Sequence, residues 1–239
     1  MAESDMAERG ESRTHGFDRD YWEQHWEQTS SGGPGAMDEN PPNPYLVRGA
    51  GSLLPGTALD AGCGTGAEAI WLATQGWQVT AADIAADALA RAARRAAGSG
   101  VSERVSWIEA DLTVWDPGMQ FDLVTTNYAH PAIPQLAFYE RISTWVAPGG
   151  SLLIVGHLHT DTNSTGHGHH GQGHDGHGHD GHLEEHPPAE ASVTLTGITA
   201  GLDSTKWDIV TAEEHVRTLA RPEGRPVPLH DVVVRATRR

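Results

Sequence analysis

The chain has 239 residues, of which 38% are hydrophobic, and its 16 Lys and Arg against 32 Asp and Glu give a formal net charge of −16. No apolar run reaches the length of a membrane-spanning helix, and the acidic balance disfavours nucleic acid as a partner, because DNA and RNA binding draws on clustered Lys and Arg. The polar start and the single cysteine, Cys63, lead us to expect a cytoplasmic protein without a secretory leader and without a membrane partner.

The N-terminal quarter divides into two zones. Residues 1–16 are polar, and we expect a disordered tail. Residues 17–57 begin with a short helical pattern in which Trp22 and Trp26 lie four apart on one face, and continue as a Gly/Pro-rich loop that includes Asn40-Pro-Pro-Asn43. The two tryptophans either form a lid over a ligand or pin the helix to the domain.

Residues 58–156 alternate strand-like and helix-like blocks, which predicts a parallel sheet covered by helices on both faces. Strands are predicted at 58–60, 77–83, 105–108, 121–125 and 151–155, and helices at 67–75, 85–97 and 135–146. In the closing zone, 190–239, a helix at 193–202 precedes strands at 207–210 and 231–235, which form an antiparallel pair. The predicted fold is a Rossmann-like α/β domain with seven strands and a C-terminal antiparallel hairpin.

A His/Gly-rich segment, residues 157–189, interrupts this pattern and is predicted to be a flexible insertion. Its imidazoles are spaced to bind Zn, Ni or Cu without a fixed fold, or else the segment is low-complexity sequence that chelates incidentally. The pentapeptide His182-Leu-Glu-Glu-His186 matches an inverted zinc-protease pattern, but glycine before it and Pro187-Pro188 after it disfavour the helix that this site needs. The candidate metal ligands are His167, His169, His170, His174, His177, His179 and His182.

The most informative segment is Leu59-Asp-Ala-Gly-Cys-Gly-Thr-Gly66, which follows a predicted strand and opens a predicted helix. Its glycines permit a tight turn and close approach of a ligand, and Asp83, at the end of the second strand, is placed to accept ribose hydroxyls. A dinucleotide site is the rival interpretation, since Gly62-x-Gly64-x-x-Ala67 fits that fingerprint. Asp60 disfavours it by adding negative charge near the pyrophosphate, and Lys206, as the single lysine, leaves no Tyr-x-x-x-Lys pair.

Four segments in order resemble the successive motifs of class I S-adenosylmethionine-dependent methyltransferases: Asp60-Ala-Gly-Cys-Gly-Thr-Gly66, Ala82-Asp-Ile84, Glu109-Ala-Asp-Leu112 and Phe121-Asp-Leu-Val-Thr-Thr-Asn127. The Trp22/Trp26 pair more loosely resembles the thiopurine and tellurite-resistance branch. The resemblance implies that the glycine loop holds the amino-acid part of S-adenosylmethionine and that Asp83 binds its ribose. The cofactor-binding residues that it implies are Asp60, Gly62, Cys63, Gly64, Gly66, Asp83, Ile84, Asp111, Leu112, Asn127 and Tyr128.

Some other residues can be interpreted as functional or as merely structural. His130, just past the fourth strand, either orients a nucleophile or takes its proton, or is an ordinary loop histidine. Arg91, Arg94 and Arg95 are interpreted as a solvated helix face.

We therefore expect a methyltransferase that uses S-adenosylmethionine on a small-molecule acceptor, with divalent metal ions as possible further ligands. Methyl transfer is a displacement that alignment in a dry site accelerates, so no catalytic dyad has to be visible in the sequence. The alternative is a metal-sequestering or metal-sensing protein that retains a methyltransferase fold.

Overall fold

An eight-stranded mixed sheet forms the centre of the computed structural model, which describes residues 16–29, 40–159, 189–219 and 227–239. The strands are β1 (Thr57–Ala61), β2 (Gln78–Asp83), β3 (Val105–Glu109), β4 (Phe121–Asn127), β5 (Val146–Leu158), β6 (Ser192–Val193), β7 (Trp207–Leu219) and β8 (Val227–Arg238). The helices are α1 (Arg19–Thr29), α2 (Pro44–Ala50), α3 (Ala67–Thr74), α4 (Ala86–Gly98), α5 (Gln135–Ser143) and α6 (Leu195–Ala200).

The strand order is β3-β2-β1-β4-β5-β8-β7, with the two-residue β6 beside β5. Strands β1 to β5 are parallel to their neighbours among themselves, whereas β8 runs antiparallel to both β5 and β7. The predicted fold class is confirmed. The order reverses between β2 and β4 on the two sides of β1, and such a switch point opens a crevice at the carboxyl ends of the strands.

Alternation along the central strands sends side chains to two separate cores. Leu152 and Ile154 of β5 pack on one face with α5 and α6, whereas Leu153 and Val155 pack on the other with α2 and α3. All four side chains are fully buried. Strands that are apolar on both faces need helical cover on both sides, which is the reason for the three-layer arrangement.

The structure differs from the sequence expectation at three helices. The helix expected over 135–146 ends at Ser143, because Val146 already belongs to β5. The helix expected from Val193 begins at Leu195, since Ser192 and Val193 pair with β5 as β6. Helix α2 was not predicted, although Asn43 caps it by accepting a hydrogen bond from the Tyr45 amide at 2.9 Å and Pro44 occupies its first turn.

Strand β5 is longer than expected, and this changes where the His-rich insertion begins. The strand continues through Leu158, and the pairs His157–Ser192 and Leu158–Val193 join it to β6. His157, taken from the sequence as the first residue of the insertion, is therefore a strand residue. No described helix has the length and apolar character to span a membrane.

We predict that Phe138→Ala lowers the free energy of unfolding by about 3–5 kcal/mol, because Phe138 of α5 is fully buried against the sheet and its loss leaves a cavity. The matched control is Leu136→Ala on the same helix, whose side chain is 45% exposed, with an expected change within about 1 kcal/mol. Urea unfolding with an unchanged m-value measures both. Equal losses in the two variants would contradict the assigned packing of α5.

Candidate functional site

A cavity of about 610 Å³ lies at the carboxyl ends of the parallel strands, at the switch point beside β1. It is walled by the turns that follow β1, β2, β3 and β4, by β5 near its end, by α1 and by the segment before α2. The sequence-predicted residues that line it are Trp22, Trp26, Gly62, Cys63, Gly64, Asp83, Ile84, Asp111, Leu112, Asn127, Tyr128 and His130. Two predicted residues, Asp60 and Gly66, are not in its wall.

The glycine loop between β1 and α3 is held by β2 and packed closely on three sides. The Gly62 and Cys63 amides donate to the Ala82 carbonyl at 2.8 and 3.1 Å. Gly62, Gly64 and Gly66 have φ values of 80°, 49° and 77°, which side chains rarely adopt. A Cβ at Gly62 would lie 2.2 Å from that of Ala129, and one at Gly66 would lie 2.5 Å from the Trp107 ring. Both backbone and space therefore require glycine.

Asp83, at the end of β2, ties this loop to the start of α4. One carboxylate oxygen accepts from the Gly64 amide at 2.8 Å and the other from the Ala85 amide at 3.0 Å. Burial raises the pKa of Asp83, and these amide hydrogen bonds oppose the rise. Each carboxylate oxygen has a second lone-pair direction, so Asp83 can still accept hydroxyl groups from a ligand in the cavity.

Two further carboxylates, those of Asp60 and Glu68, lie near the loop. Asp60 is buried behind it, and its Oδ2 has no hydrogen-bond partner. Glu68, in the first turn of α3, lines the cavity and accepts from the Asn43 amide at 2.9 Å. Burial is the main cause that raises the pKa of both, and for Asp60 the charges of Glu68 and Asp83 add to it. This end of the cavity is therefore suited to a cationic group.

The remaining predicted cofactor residues lie on the turns after β3 and β4. The Asp111 carboxylate accepts from the Thr113 amide and hydroxyl at 2.9 and 2.6 Å, which fixes that turn. Leu112 is buried beside it. The amide nitrogen of Asn127 donates to the Thr125 hydroxyl at 3.2 Å, while its Oδ1 is buried without a partner.

Arginines of α4 anchor helix α1, which covers the glycine loop, and the segment before α2. Trp26 packs so close to the loop that a Cβ at Gly64 would lie 2.9 Å from its ring. Arg91 donates to the Trp26 carbonyl at 2.9 Å, and Arg95 donates to the Asn40 carbonyl at 2.6 Å. The expectation of a solvated arginine face is wrong for Arg91 and Arg95, because α1 and the segment before α2 lie over that side of α4.

His130, Tyr128 and His157 gather at the other end of the cavity. The His130 ring lies 5.3 Å from that of His157, which in turn lies 4.7 Å from Tyr128. The Trp22 indole donates to the His130 carbonyl at 3.1 Å, and the His130 Nδ1 lies 3.2 Å from the Gln135 amide oxygen. Burial lowers the pKa of His130, and burial together with the nearby His130 and Arg217 lowers the pKa of His157 to about 3. Both rings are therefore neutral near pH 7.

Arg217 of β7 lies next to these rings and is fixed by two partners. Its Nε donates to Asp231 Oδ2 at 2.7 Å and its Nη2 to the Tyr128 hydroxyl at 3.1 Å. The guanidinium also lies over the Tyr128 ring, 5.4 Å from its centre. Asp231 is completely buried, and its Oδ2 accepts a further bond from the Tyr45 hydroxyl at 3.2 Å.

Sequence reasoning missed several residues that line the cavity, among them Asn43, Glu68, His157 and Arg217. Glu68 could have been found, since it directly follows the glycine loop in the first turn of a helix. His157 was assigned to the insertion, and Arg217 carries no local signal because the hairpin alone brings it to β4. The candidate metal ligands from His167 to His182 lie outside the described residues, within which no three metal-binding side chains cluster.

Comparison with known proteins gives a match to a family of domains and several curated relatives. Residues 58–150 match the family of methyltransferase domains. A protein named probable thiol methyltransferase 2, from Arabidopsis thaliana, is 29% identical over 135 residues, which cover 54% of this chain and 59% of the plant protein. The chain thus spans less than two thirds of that relative's length.

Solved structures resemble the whole fold at low sequence identity. TehB from Haemophilus influenzae superposes with a TM-score of 0.61 at 15% identity, covering 92% of this chain and 67% of TehB. The 1,6-didemethyltoxoflavin-N1-methyltransferase of Burkholderia thailandensis, solved with its substrate and S-adenosylhomocysteine bound, has a TM-score of 0.59 at 20% identity and covers 92% of this chain and 86% of that enzyme. These similarities establish the fold.

We predict that His157 makes the folded state sensitive to acid. Because its folded pKa of about 3 lies below the value of about 6.5 in the unfolded chain, the unfolded state binds more protons between these limits, and stability falls as pH falls through that window. Between pH 7 and pH 5 this one group accounts for a loss of about 2 kcal/mol. Urea unfolding of wild type and His157→Leu at both pH values measures it. The variant should lose about 2 kcal/mol less than wild type, and identical losses would contradict the burial of a neutral ring.

Proposed function

We propose that this chain, whose residues 58–150 match a methyltransferase domain, is a class I S-adenosylmethionine-dependent enzyme that transfers a methyl group to a small molecule bound beside Tyr128 and His130. The observation that supports this most is the glycine loop, which lies among the buried carboxylates of Asp60 and Asp83 and the partly buried carboxylate of Glu68. A phosphate-bearing dinucleotide would meet like charge there. A ligand with an ammonium and a sulfonium would instead be attracted.

The described residues fit S-adenosylmethionine in three respects. The loop needs glycine at Gly62 and Gly64, which leaves backbone exposed in the cavity wall. Asp83 stands at the end of β2 with acceptor capacity for ribose hydroxyls. Asp60 lies buried behind the loop, where burial raises its pKa, whereas Glu68 lines the cavity and is the nearer candidate for the amino group.

When bound, the cofactor supplies a methyl group on a cationic sulfur, which leaves as a neutral thioether. The protein's own task is alignment and exclusion of water. Trp22 and Trp26 of α1 close the cavity over the loop, and Ile84 and Leu112 supply apolar walls for a purine ring. His130 is neutral and hydrogen-bonded to Gln135, so it orients the acceptor as a neutral imidazole. Holding the reacting atoms in line is itself a large share of such catalysis.

The proposed acceptor is a small molecule. Thiols are the first compound class to assay, because the plant relative is named a probable thiol methyltransferase. Thiols, phenols, selenite and tellurite with labelled S-adenosylmethionine make a suitable panel. Turnover of any of them also separates an enzyme from a metal-sequestering protein on the same fold, which would methylate none. The single cysteine, Cys63, is buried, in keeping with a proposed cytoplasmic location.

We predict that Asp83→Ala weakens the binding of S-adenosylhomocysteine, measured by calorimetry, about tenfold or more, since a hydrogen bond to a charged group contributes about 1.5–3 kcal/mol. Asp83→Asn, which keeps one acceptor oxygen, should be intermediate. Asp203→Ala, at an exposed turn away from the cavity, is the matched control and should bind as wild type does. Binding of a nicotinamide dinucleotide without binding of S-adenosylhomocysteine would refute the proposed function.

Metal binding by the His-rich segment is a separate proposal that rests on its sequence. The described ends of the segment meet at the carboxyl end of β5, where the His159 amide donates to the Val193 carbonyl at 2.8 Å and His157 lines the cavity. Because the described residues on both sides of the segment lie beside the cavity, we propose that metal binding by the segment changes turnover.

Deletion of residues 165–182 tests this proposal. Calorimetry with nickel or zinc should show strong binding to the full chain and its loss in the deletion variant, which should still fold because the segment offers no apolar side chain for the core. Added metal should also change the turnover of the full chain but not that of the deletion variant. Equal metal binding by both proteins would refute the proposal, and an equal effect of metal on turnover would refute the link to the active site.

A further inference from the structure

The cavity carries opposite charge at its two ends. Carboxylates of Glu68 and Asp83 lie beside the glycine loop, whereas Arg217 stands at the end formed by Tyr128, His130 and His157. Among the lining residues of the described ranges, Arg217 is the one Lys or Arg side chain. The acidic end suits the cationic cofactor, so the acceptor meets the cationic end.

Arg217 is held rigid by groups from separate strands. The Nε of Arg217 donates a hydrogen bond to Asp231 on β8, and its Nη2 donates one to the hydroxyl of Tyr128, directly after β4. These two bonds use two of the five N–H groups of a guanidinium. The side chain is 37% exposed although its partner Asp231 is completely buried, so the remaining face of the fork meets the cavity and solvent.

The rings around Arg217 are uncharged, so the Arg217–Asp231 ion pair is the charged group at this end, and Arg217 is the member of the pair that lines the cavity. His157 and His130 are neutral near pH 7, and the His157 Nδ1 is buried without a partner. Phe17 and Trp22 extend the wall, with the Phe17 ring 6.2 Å from that of Trp22 and 5.7 Å from that of His130. This end is therefore a small aromatic compartment in which the fixed guanidinium of the Arg217–Asp231 pair keeps unused N–H donors, a combination that fits a compact anion with an apolar body.

We propose that Arg217 binds the negative charge of the methyl acceptor, so that the protein selects anionic over neutral acceptors. This inference rests on the proposed function. In the transfer, a lone pair of the acceptor forms the bond to the methyl carbon, and the carbon–sulfur electron pair returns to sulfur, with no oxidant or reductant required. Because the cofactor is a cation, an anionic acceptor is also attracted to it in a water-poor site.

Benzoate and benzamide test the inference, because they share ring and size and differ in charge. Each is titrated by calorimetry into the full chain, with and without saturating S-adenosylhomocysteine. We expect benzoate to bind at least tenfold more tightly than benzamide in both series, in line with a charge-assisted hydrogen-bonded pair. The S-adenosylhomocysteine titration itself reports on the proposed function, and the series without it decides the role of Arg217 independently.

The variants are chosen to avoid an unpaired buried charge. Arg217→Gln combined with Asp231→Asn keeps a neutral hydrogen-bonded pair and should weaken benzoate about tenfold while leaving benzamide unchanged. Arg217→Lys keeps the charge but not the forked guanidinium, and its affinity for benzoate should lie between those of wild type and the double variant. Arg48→Gln is the matched control, since Arg48 pairs with Glu213 outside the cavity.

Three results would overturn the inference: equal binding of benzoate and benzamide to the wild-type chain, retention of benzoate affinity by the double variant, or no binding of benzoate at all. The wild-type comparison decides the question even if the double variant does not fold.

Discussion

The absence of three β-carbons in the loop after β1 is the constraint on which the site depends. At Gly62 the loop lies against Ala129 after β4, at Gly64 against Trp26 of α1, and at Gly66 against Trp107 of β3. Each contact is closer than a side chain would permit, so three elements distant in sequence meet around one turn. The left-handed φ values at the same residues reinforce the choice, since the turn is strained for any other amino acid.

The close packing around the glycine loop also keeps the neighbouring acidic side chains away from solvent. Asp60 is the penultimate residue of β1 and Asp83 is the last residue of the adjacent β2, and Glu68 of α3 lies close enough to raise the pKa of Asp60. Burial raises the pKa of all three, and for Asp60 the charges of Glu68 and Asp83 raise it further. A cation bound in the cavity favours the ionised form of a nearby carboxylate, which accords with the proposed use of S-adenosylmethionine.

The N-terminal segments depend on the same geometry. Helix α1 has no extensive core of its own, and it is held where Trp26 meets Gly64, where Arg91 binds the Trp26 carbonyl and where Trp22 binds the His130 carbonyl. The segment before α2 is held by Arg95 at Asn40 and by Glu68 at Asn43. The cover of the cavity is therefore attached to groups that also form its wall, namely Gly64, Glu68 and His130.

The sequence by itself determined the alternation of strands and helices, the terminal hairpin, the class I methyltransferase resemblance and the turns that carry Gly62, Asp83 and Asn127. These are local signals: apolar spacing, glycine in a turn, and a polar residue at the end of an apolar strand. Only the tertiary structure placed Asp60 behind the loop and His157 inside β5. It also brought Arg217 to Tyr128, 89 residues away in the chain. A local pattern records the conformation of its own segment, whereas these placements depend on strand register and packing between distant segments.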